Sequence, residues 1–110
     1  MAGKFEIKQS ANGKFTFNLR AGNGQIILSS EMYESRSAAQ NGIQSVKKNA
    51  ADDTRYERLT SKSGDPYFVL KAGNGEPIGR SEMYNSASAM ENGIESVKKN
   101  APDADIAEAA

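Results

Sequence analysis

The chain has no cysteine and no histidine. The first absence excludes disulfides and thiolate metal sites, and it leaves the redox compartment unreadable. The second removes the commonest general base and the commonest zinc ligand. Neither sign of charge is in excess, since 14 basic residues balance 14 acidic ones. Nucleic-acid binders usually carry a basic surplus, so this balance argues against that class. No apolar run approaches transmembrane length, and the opening MAGKFEIKQS lacks the apolar stretch of a signal peptide. A cytoplasmic protein without a membrane partner is the resulting expectation. No spacing calls for a cofactor, so none is expected.

What the chain does have is a long stretch written twice. AGNGQIILSSEMYESRSAAQNGIQSVKKNA in the first half returns as AGNGEPIGRSEMYNSASAMENGIESVKKNA in the second. The shift is constant, because Ala21 to Ala72, Ser30 to Ser81 and Ser45 to Ser96 each span 51 residues. A chain of 110 residues suits one domain, and each repeat alone, at roughly 50 residues, has a marginal core. Residues 1–110 therefore read as a single domain: repeat 1 over about 4–51, repeat 2 over about 55–102, and a frayed tail over 103–110.

Phe5 and Ile7 alternate with Glu6 and Lys8, which is the period of a half-buried strand. Phe15, Phe17 and Leu19 alternate in the same way after Ala11-Asn12-Gly13, and Ile26 to Leu28 follows Gly22-Asn23-Gly24. A three-residue loop ending in left-handed glycine pairs Ile7 with Phe17 and Phe5 with Leu19. The same loop at Gly22-Asn23-Gly24 predicts Leu19 opposite Ile27, and in the second repeat Leu70 opposite Ile78. Ser37-Ala38-Ala39-Gln40 and Ser88-Ala89-Met90-Glu91 match capping boxes. Ala39, Ile43, Val46 and Ala50 share one helical face, as do Met90, Ile94, Val97 and Ala101. Lys47, Lys48, Lys98 and Lys99 offset the negative helix ends. Asn49 and Asn100 read as left-handed caps, with Pro102 stopping the second helix. Gly42 and Gly93 each cost about 1 kcal/mol inside a helix, and close approach to the sheet is the preferred reason for them.

The fold class is α+β. Tandem β-β-β-α repeats form one mostly antiparallel sheet of about six strands, with both helices packed on one face. Phe5, Ile7, Phe15, Phe17, Leu19, Ile27, Tyr56, Phe68, Leu70 and Ile78 should point at the helices.

The doubled AGNG…SEMY…NGI.SVKKNA pattern resembles the YegP-like family of small bacterial proteins of unknown function. The likeness runs from Phe5 to about Ala101. It implies two β3-α-β units that build one sheet and exchange their last strands, with Tyr56–Leu59 following the first helix. It implies no activity and no catalytic residue.

Several residue sets invite a functional reading. Gly22-Asn23-Gly24 and Gly73-Asn74-Gly75 could cradle a phosphate, but a strand follows each, so they read as hairpin turns. Glu31 and Glu82, with Tyr33 and Tyr84, could form a ligand or acid–base site if they converged in a cleft. The alternative is that the glutamates supply charge near helix starts, while Met32, Met83 and the tyrosines plug the layer between helix and sheet, hydroxyls outward. The lysine pairs, with Arg20, Lys71 and Arg80, could line an anion surface. No aromatic is interleaved with the lysines, so solubility and helix-end charge explain them.

The outer sheet face carries the one asymmetry. Thr16, Asn18 and Arg20 in the first repeat give way to Tyr67 and Val69 in the second, with Leu59 beside them. Together with Ile26 and Leu28 these form a candidate apolar patch, a mark of association surfaces. The leading reading is a non-enzymatic binding or structural module that contacts a protein partner or itself there. The alternatives are a small-ligand protein or enzyme at the SEMY residues and, more weakly, an electrostatic nucleic-acid binder.

If both repeats share one core, a chain cut near Asp53 yields halves that cannot bury their aromatics alone. Thermal unfolding followed by circular dichroism should show no cooperative monomeric transition for either fragment.

Overall fold

Phe5 and Ile7 lie on the inner side of strand β1 (Lys4–Gln9) in the computed structural model, which describes residues 3–108. Strands β2 (Phe15–Arg20) and β3 (Ile26–Ser30) follow, then helix α1 (Arg36–Asn49). A 3-10 turn, Asp53–Arg55, leads into β4 (Tyr56–Thr60), β5 (Pro66–Lys71), β6 (Pro77–Arg80) and helix α2 (Ala87–Asn100). The chain then adds β7 (Asp105–Glu108). One seven-stranded sheet results, in the order β4-β5-β6-β3-β2-β1-β7. Every pairing is antiparallel except that of β7 with β1. The fold is α+β, as the pattern of periods indicates.

The tail is a correction. Asp103–Ala110 reads as frayed, yet Asp105–Glu108 pairs with Lys4–Ile7 as a parallel edge strand. Main-chain pairing needs no apolar alternation, and Ala104 anchors the approach by burying itself in the core. Ala109 and Ala110 lie outside the described residues.

The first hairpin has the expected register. Ser10 N–H donates to the Lys14 carbonyl at 2.7 Å, Gly13 takes φ +83°, and Ile7 faces Phe17 while Phe5 faces Leu19. The second hairpin does not. Gly24 has φ +86°, and the loop sets Arg20 opposite Ile26, but Leu19 then faces Leu28 rather than Ile27. The extra residue is a β-bulge, which bends the strand and turns both Ile27 and Leu28 toward the helices. The second repeat shows the same shift, with Leu70 opposite Gly79 instead of Ile78.

Between the halves, β3 pairs with β6 through Ser29 opposite Arg80 and Ser30 opposite Gly79. Ser29 and Arg80 are equivalent positions of the two repeats, so a pseudo-twofold axis passes between them. Leu28 and Gly79 are also equivalent, and they meet near that axis. A Cβ on Gly79 would lie 2.8 Å from the Ser29 carbonyl oxygen and 3.1 Å from Leu28 Cγ. There is room for one leucine at the axis and not for two.

Both helices begin two residues earlier than the capping-box reading places them. Ser35 and Ser86 are the N-caps, accepting from the Ala38 and Ala89 N–H groups at 3.0 Å. The residues three positions on are Ala38 and Ala89, so no reciprocal glutamate closes a box. The C-terminal expectation also changes. Asn49 and Asn100 are buried helical residues whose Nδ2 atoms donate to the Ser45 and Ser96 carbonyls at 2.8 Å. Ala50 and Ala101 continue right-handed as caps, and among the described residues no non-glycine has positive φ. The buried faces are those expected, around Ile43, Val46, Ile94 and Val97.

Gly42 and Gly93 have a concrete reason. Tyr33 stacks on Phe17 at 6.0 Å between ring centres and Tyr84 on Phe68 at 6.4 Å, and each tyrosine presses its ring end against a helix glycine. A Cβ on Gly42 would collide with the Tyr33 hydroxyl and lie 2.7 Å from its Cζ. Alanine here gains about 1 kcal/mol of helix propensity but overpacks rigid rings, which typically costs about 1–3 kcal/mol. Gly42→Ala should therefore lower stability in urea unfolding, and the loss should shrink when Tyr33→Ala is added.

Candidate functional site

The open face of the sheet is crossed by a polar row. Glu6, Asn18, Ser29, Arg80, Val69 and Glu57 are successive neighbours from β1 to β4. Val69 is the one apolar member. Beside it, Leu59 pairs with Tyr67, so Leu59, Tyr67 and Val69 form a half-buried cluster at the β4–β5 end. The expected patch is thus smaller than the sequence suggests. Leu28 is 0% exposed on the helix side because of the bulge, and Ile26 sits beside Arg20 beyond the polar row.

Two matched ion pairs flank this face. Arg20 Nε lies 2.7 Å from Glu6 Oε1, and Lys71 Nζ lies 2.9 Å from Glu57 Oε1. Their charges are spent locally, which removes Arg20 and Lys71 from any anion surface. Lys47 and Lys98 are also engaged, over the Phe5 and Tyr56 rings at 5.9 and 5.8 Å.

The SEMY residues divide by role. Ser30 Oγ accepts from the Phe17 N–H at 2.8 Å and donates to the Glu31 carbonyl at 2.7 Å, and Ser81 repeats both bonds. The serine side chain therefore carries the bonding one residue past the last ladder pair, Asn18 with Ser29 in the first repeat and Val69 with Arg80 in the second. The tyrosines pack under the helices as expected, but their hydroxyls lie against Gly42 and Gly93 rather than outward. Burial, and secondarily the neighbouring glutamate, raises both tyrosine pKa values.

Met32 and Met83 are 54% and 50% exposed, so they do not plug the helix–sheet layer. Tyr33 and Tyr84 fill that layer, and the extended backbone alternates Met to the other side. Glu31 and Glu82 precede the helices by several residues, and neither helix has an acid in its first turn. Glu31 and Glu82 do not meet. They lie at opposite ends of the β3–β6 pair, on the order of 13 Å apart along the strands. Instead, Glu31, Met32, Tyr33 and Ser45 face the other repeat's hairpin, Asn74 to Ile78, across a groove. A second groove sets Asn23 of the β2–β3 hairpin against Asn92, Ser96 and Lys99 of α2. Among the described residues, no three acidic side chains are grouped so as to hold a metal ion.

Sequence reasoning missed the edge formed by β4. Arg58 binds Glu91 of α2 through Nε at 2.5 Å and Nη2 at 3.0 Å, and reaches Asp53 at 3.1 Å. Lys98 Nζ joins Asp53 at 2.9 Å. The edge strand is thereby tied to the helix layer. Charge identity alone marks these four residues; the long separation between Arg58 and Glu91 hid their contact.

Comparison with known proteins now decides the family. The profile of a domain of unknown function, DUF1508, matches residues 10–57 and again 61–108. The chain belongs to the DUF1508 family. A UPF0339 protein of Bordetella pertussis is 59% identical over 94% of this chain and 93% of its own length. The UPF0339 protein YegP of Yersinia pestis is 53% identical over 89% and 88%. Two solution NMR structures share the fold at 45% identity. One is a UPF0339 protein of Shewanella oneidensis, with TM-score 0.92 over 98% of this chain and 92% of that one. The other is yegP of E. coli, titled a protein of unknown function, with TM-score 0.93 over 98% and 93%. The YegP-like resemblance holds, and no specific function comes with it. Among the described residues no helix is long and apolar enough to cross a membrane.

The ion pairs give stability a pH dependence with a definite sign. Hydrogen bonds from Arg58, from Lys98 and from Arg20 hold Glu91, Asp53 and Glu6 below their ordinary values. Depressed carboxylates stabilise the fold above their unfolded pKa, near 4, and that contribution is lost as pH falls through the folded values. The urea midpoint should be flat from about pH 8 to about pH 6, without histidine, and fall toward about pH 3. Glu91→Gln should flatten part of that fall.

Proposed function

We propose that this chain is a cytoplasmic, non-enzymatic protein-binding module that contacts its partner through the outer sheet face at Leu59, Tyr67 and Val69. One observation carries the reading. The cluster lies on the face that neither helix covers, and only in the repeat that ends in an open sheet edge. The equivalent positions of the first repeat, Lys8, Thr16 and Asn18, are polar, so the fold does not require apolar residues there. Burying the three side chains in an interface is favourable at about 25 cal/mol per Å² of apolar surface. A second reading has weaker support: Glu31 and Met32 are exposed and line a groove against the other repeat's hairpin, which suits a small ligand.

Val69→Lys should leave the fold intact, since surface changes usually stay within about 0.5 kcal/mol. Wild-type and Val69→Lys chains would be compared by light scattering over a concentration series and by co-purification from the native cell. Association or a retained protein that disappears in Val69→Lys supports the face. A strict monomer with an identical set of companions in both forms removes it.

A further inference from the structure

Both helices end on the same buried asparagine, and the two repeats treat its oxygen differently. Asn49 and Asn100 are each 7% exposed, and each turns Nδ2 back onto the serine carbonyl one helical turn earlier. That leaves Oδ1 as the acceptor still to be satisfied. Asn49 Oδ1 accepts from Arg55 Nε at 3.0 Å. The Arg55 guanidinium lies along Gly73 of the β5–β6 hairpin, where a Cβ would sit 3.5 Å from Nη2 and 3.8 Å from Cζ. Asp52 Oδ2 is 3.6 Å from the same Nη2. The first repeat thus fills the niche between helix end and facing hairpin with a guanidinium of its own.

The equivalent niche lies between Asn100 and Gly22 of the β2–β3 hairpin, which line one groove with Asn23, Ser96, Glu95 and Lys99. Among the described residues, nothing donates to Asn100 Oδ1; both of its side-chain bonds run from Nδ2 to Ser96. Phe5 faces Leu19 as Tyr56 faces Leu70, so Lys4 stands where Arg55 does. Lys4 does not reach the asparagine. Its Nζ lies 3.7 Å from Glu6 Oε2, on a side chain 52% exposed. One repeat after Arg55 the residue is Ile106, which has no donor in its side chain.

We infer that the groove between Asn100 and Gly22 binds the guanidinium group of an arginine, free or within a peptide, with Asn100 Oδ1 accepting from it as Asn49 Oδ1 accepts from Arg55. Net charge does not make this site. Glu95 and Lys99 oppose each other at its rim, and Glu95 Oε2 already lies 3.2 Å from Lys98 Nζ. Lys48 stands before Asn49 as Lys99 stands before Asn100, and it does not keep Arg55 away. What selects the ligand is a buried acceptor in need of a donor above a glycine floor that admits a flat group. A guanidinium is planar, carries several donors and is weakly hydrated, whereas a compact ammonium holds its water more tightly. The groove is separate from Leu59, Tyr67 and Val69, so it does not rest on the outer-face reading.

The test titrates isotope-labelled full chain with L-arginine and, separately, with N-acetyl-arginine methylamide, followed by NMR of backbone and side-chain amides. The Asn100 Nδ2 resonances and the Gly22 and Asn23 amides should shift saturably, with a Kd on the order of 1 mM for one charge-assisted contact. The Asn49 side chain, already satisfied by Arg55, should stay still. Citrulline keeps the shape and loses the charge, and it should bind at least about fivefold more weakly. Gly22 is not one of the left-handed glycines, so Gly22→Leu fills the floor without backbone strain and should abolish the shifts. The citrulline comparison needs no variant and stands even if Gly22→Leu fails to fold. Saturation by the free amino acid alone marks a small-molecule ligand, and by the blocked form alone a peptide; either upholds the site. Absent shifts with both, equal binding of citrulline, or full binding by folded Gly22→Leu would each overturn it. Val69→Lys should bind arginine as wild type does, which keeps the fate of the groove distinct from that of the outer face.

Discussion

The pairing of β3 with β6 is the constraint on which the rest depends. It joins two half-sheets into one surface wide enough for two helices, and it places the pseudo-twofold at Ser29 and Arg80. Each half contributes one aromatic triad, Phe5–Phe17–Tyr33 or Tyr56–Phe68–Tyr84, with edge-on and stacked contacts in the same order. Helix α1 reaches across the seam to touch β5 and β6, and α2 touches β3. The core is consequently common property. A gap at the seam would expose the inner faces of both triads at once.

Much of this was legible because the repeat supplies the same evidence twice. Alternation at Phe15, Phe17 and Leu19 fixes an inward face, and glycine at the loop end fixes the first hairpin. The helix stripes follow from spacing alone. What escaped was set by contacts distant in sequence. The bulge at Ile27 carries no local mark, since Ile26, Ile27 and Leu28 are all apolar and any register looks acceptable. Hydropathy alone therefore puts Leu28 on the outer face, and the bulge turns it inward. Only Ser37 and Ser88 match a capping box, yet Ser35 and Ser86 are the caps, because a capping serine needs only the N–H three residues on and no partner glutamate. Strand β7 was missed because an edge strand needs hydrogen bonds to a neighbour rather than a pattern of its own.

The candidate site shows the same division. Tyr67, Val69 and Leu59 were found by comparing equivalent positions, and the pairing of β4 with β5 brings them together. Ile26 and Leu28 were grouped with them by hydropathy, which takes no account of strand order. Glu31 and Glu82 looked like a pair because their tetrapeptide is duplicated. Duplication about a twofold separates residues as readily as it unites them, and the antiparallel seam sends these to opposite ends.

Features that the repeats share are mostly accounted for by folding: serine caps, the glycines beneath the tyrosines, left-handed loop ends and the asparagines that bond back to serine. Departures from the repeat are the more informative positions for function. One departure is forced, since Leu28 and Gly79 cannot both be leucine where they meet at the axis. The others have no such necessity. Lys8 becomes Leu59, Thr16 becomes Tyr67 and Asn18 becomes Val69, all on one corner of the open face. At that same corner β4 is the last strand among the described residues, while the opposite corner is closed by β7. Packing supplies no reason for the two differences to coincide. The protein-binding reading proposed above would supply one, because apolar contacts at that corner would then face the partner.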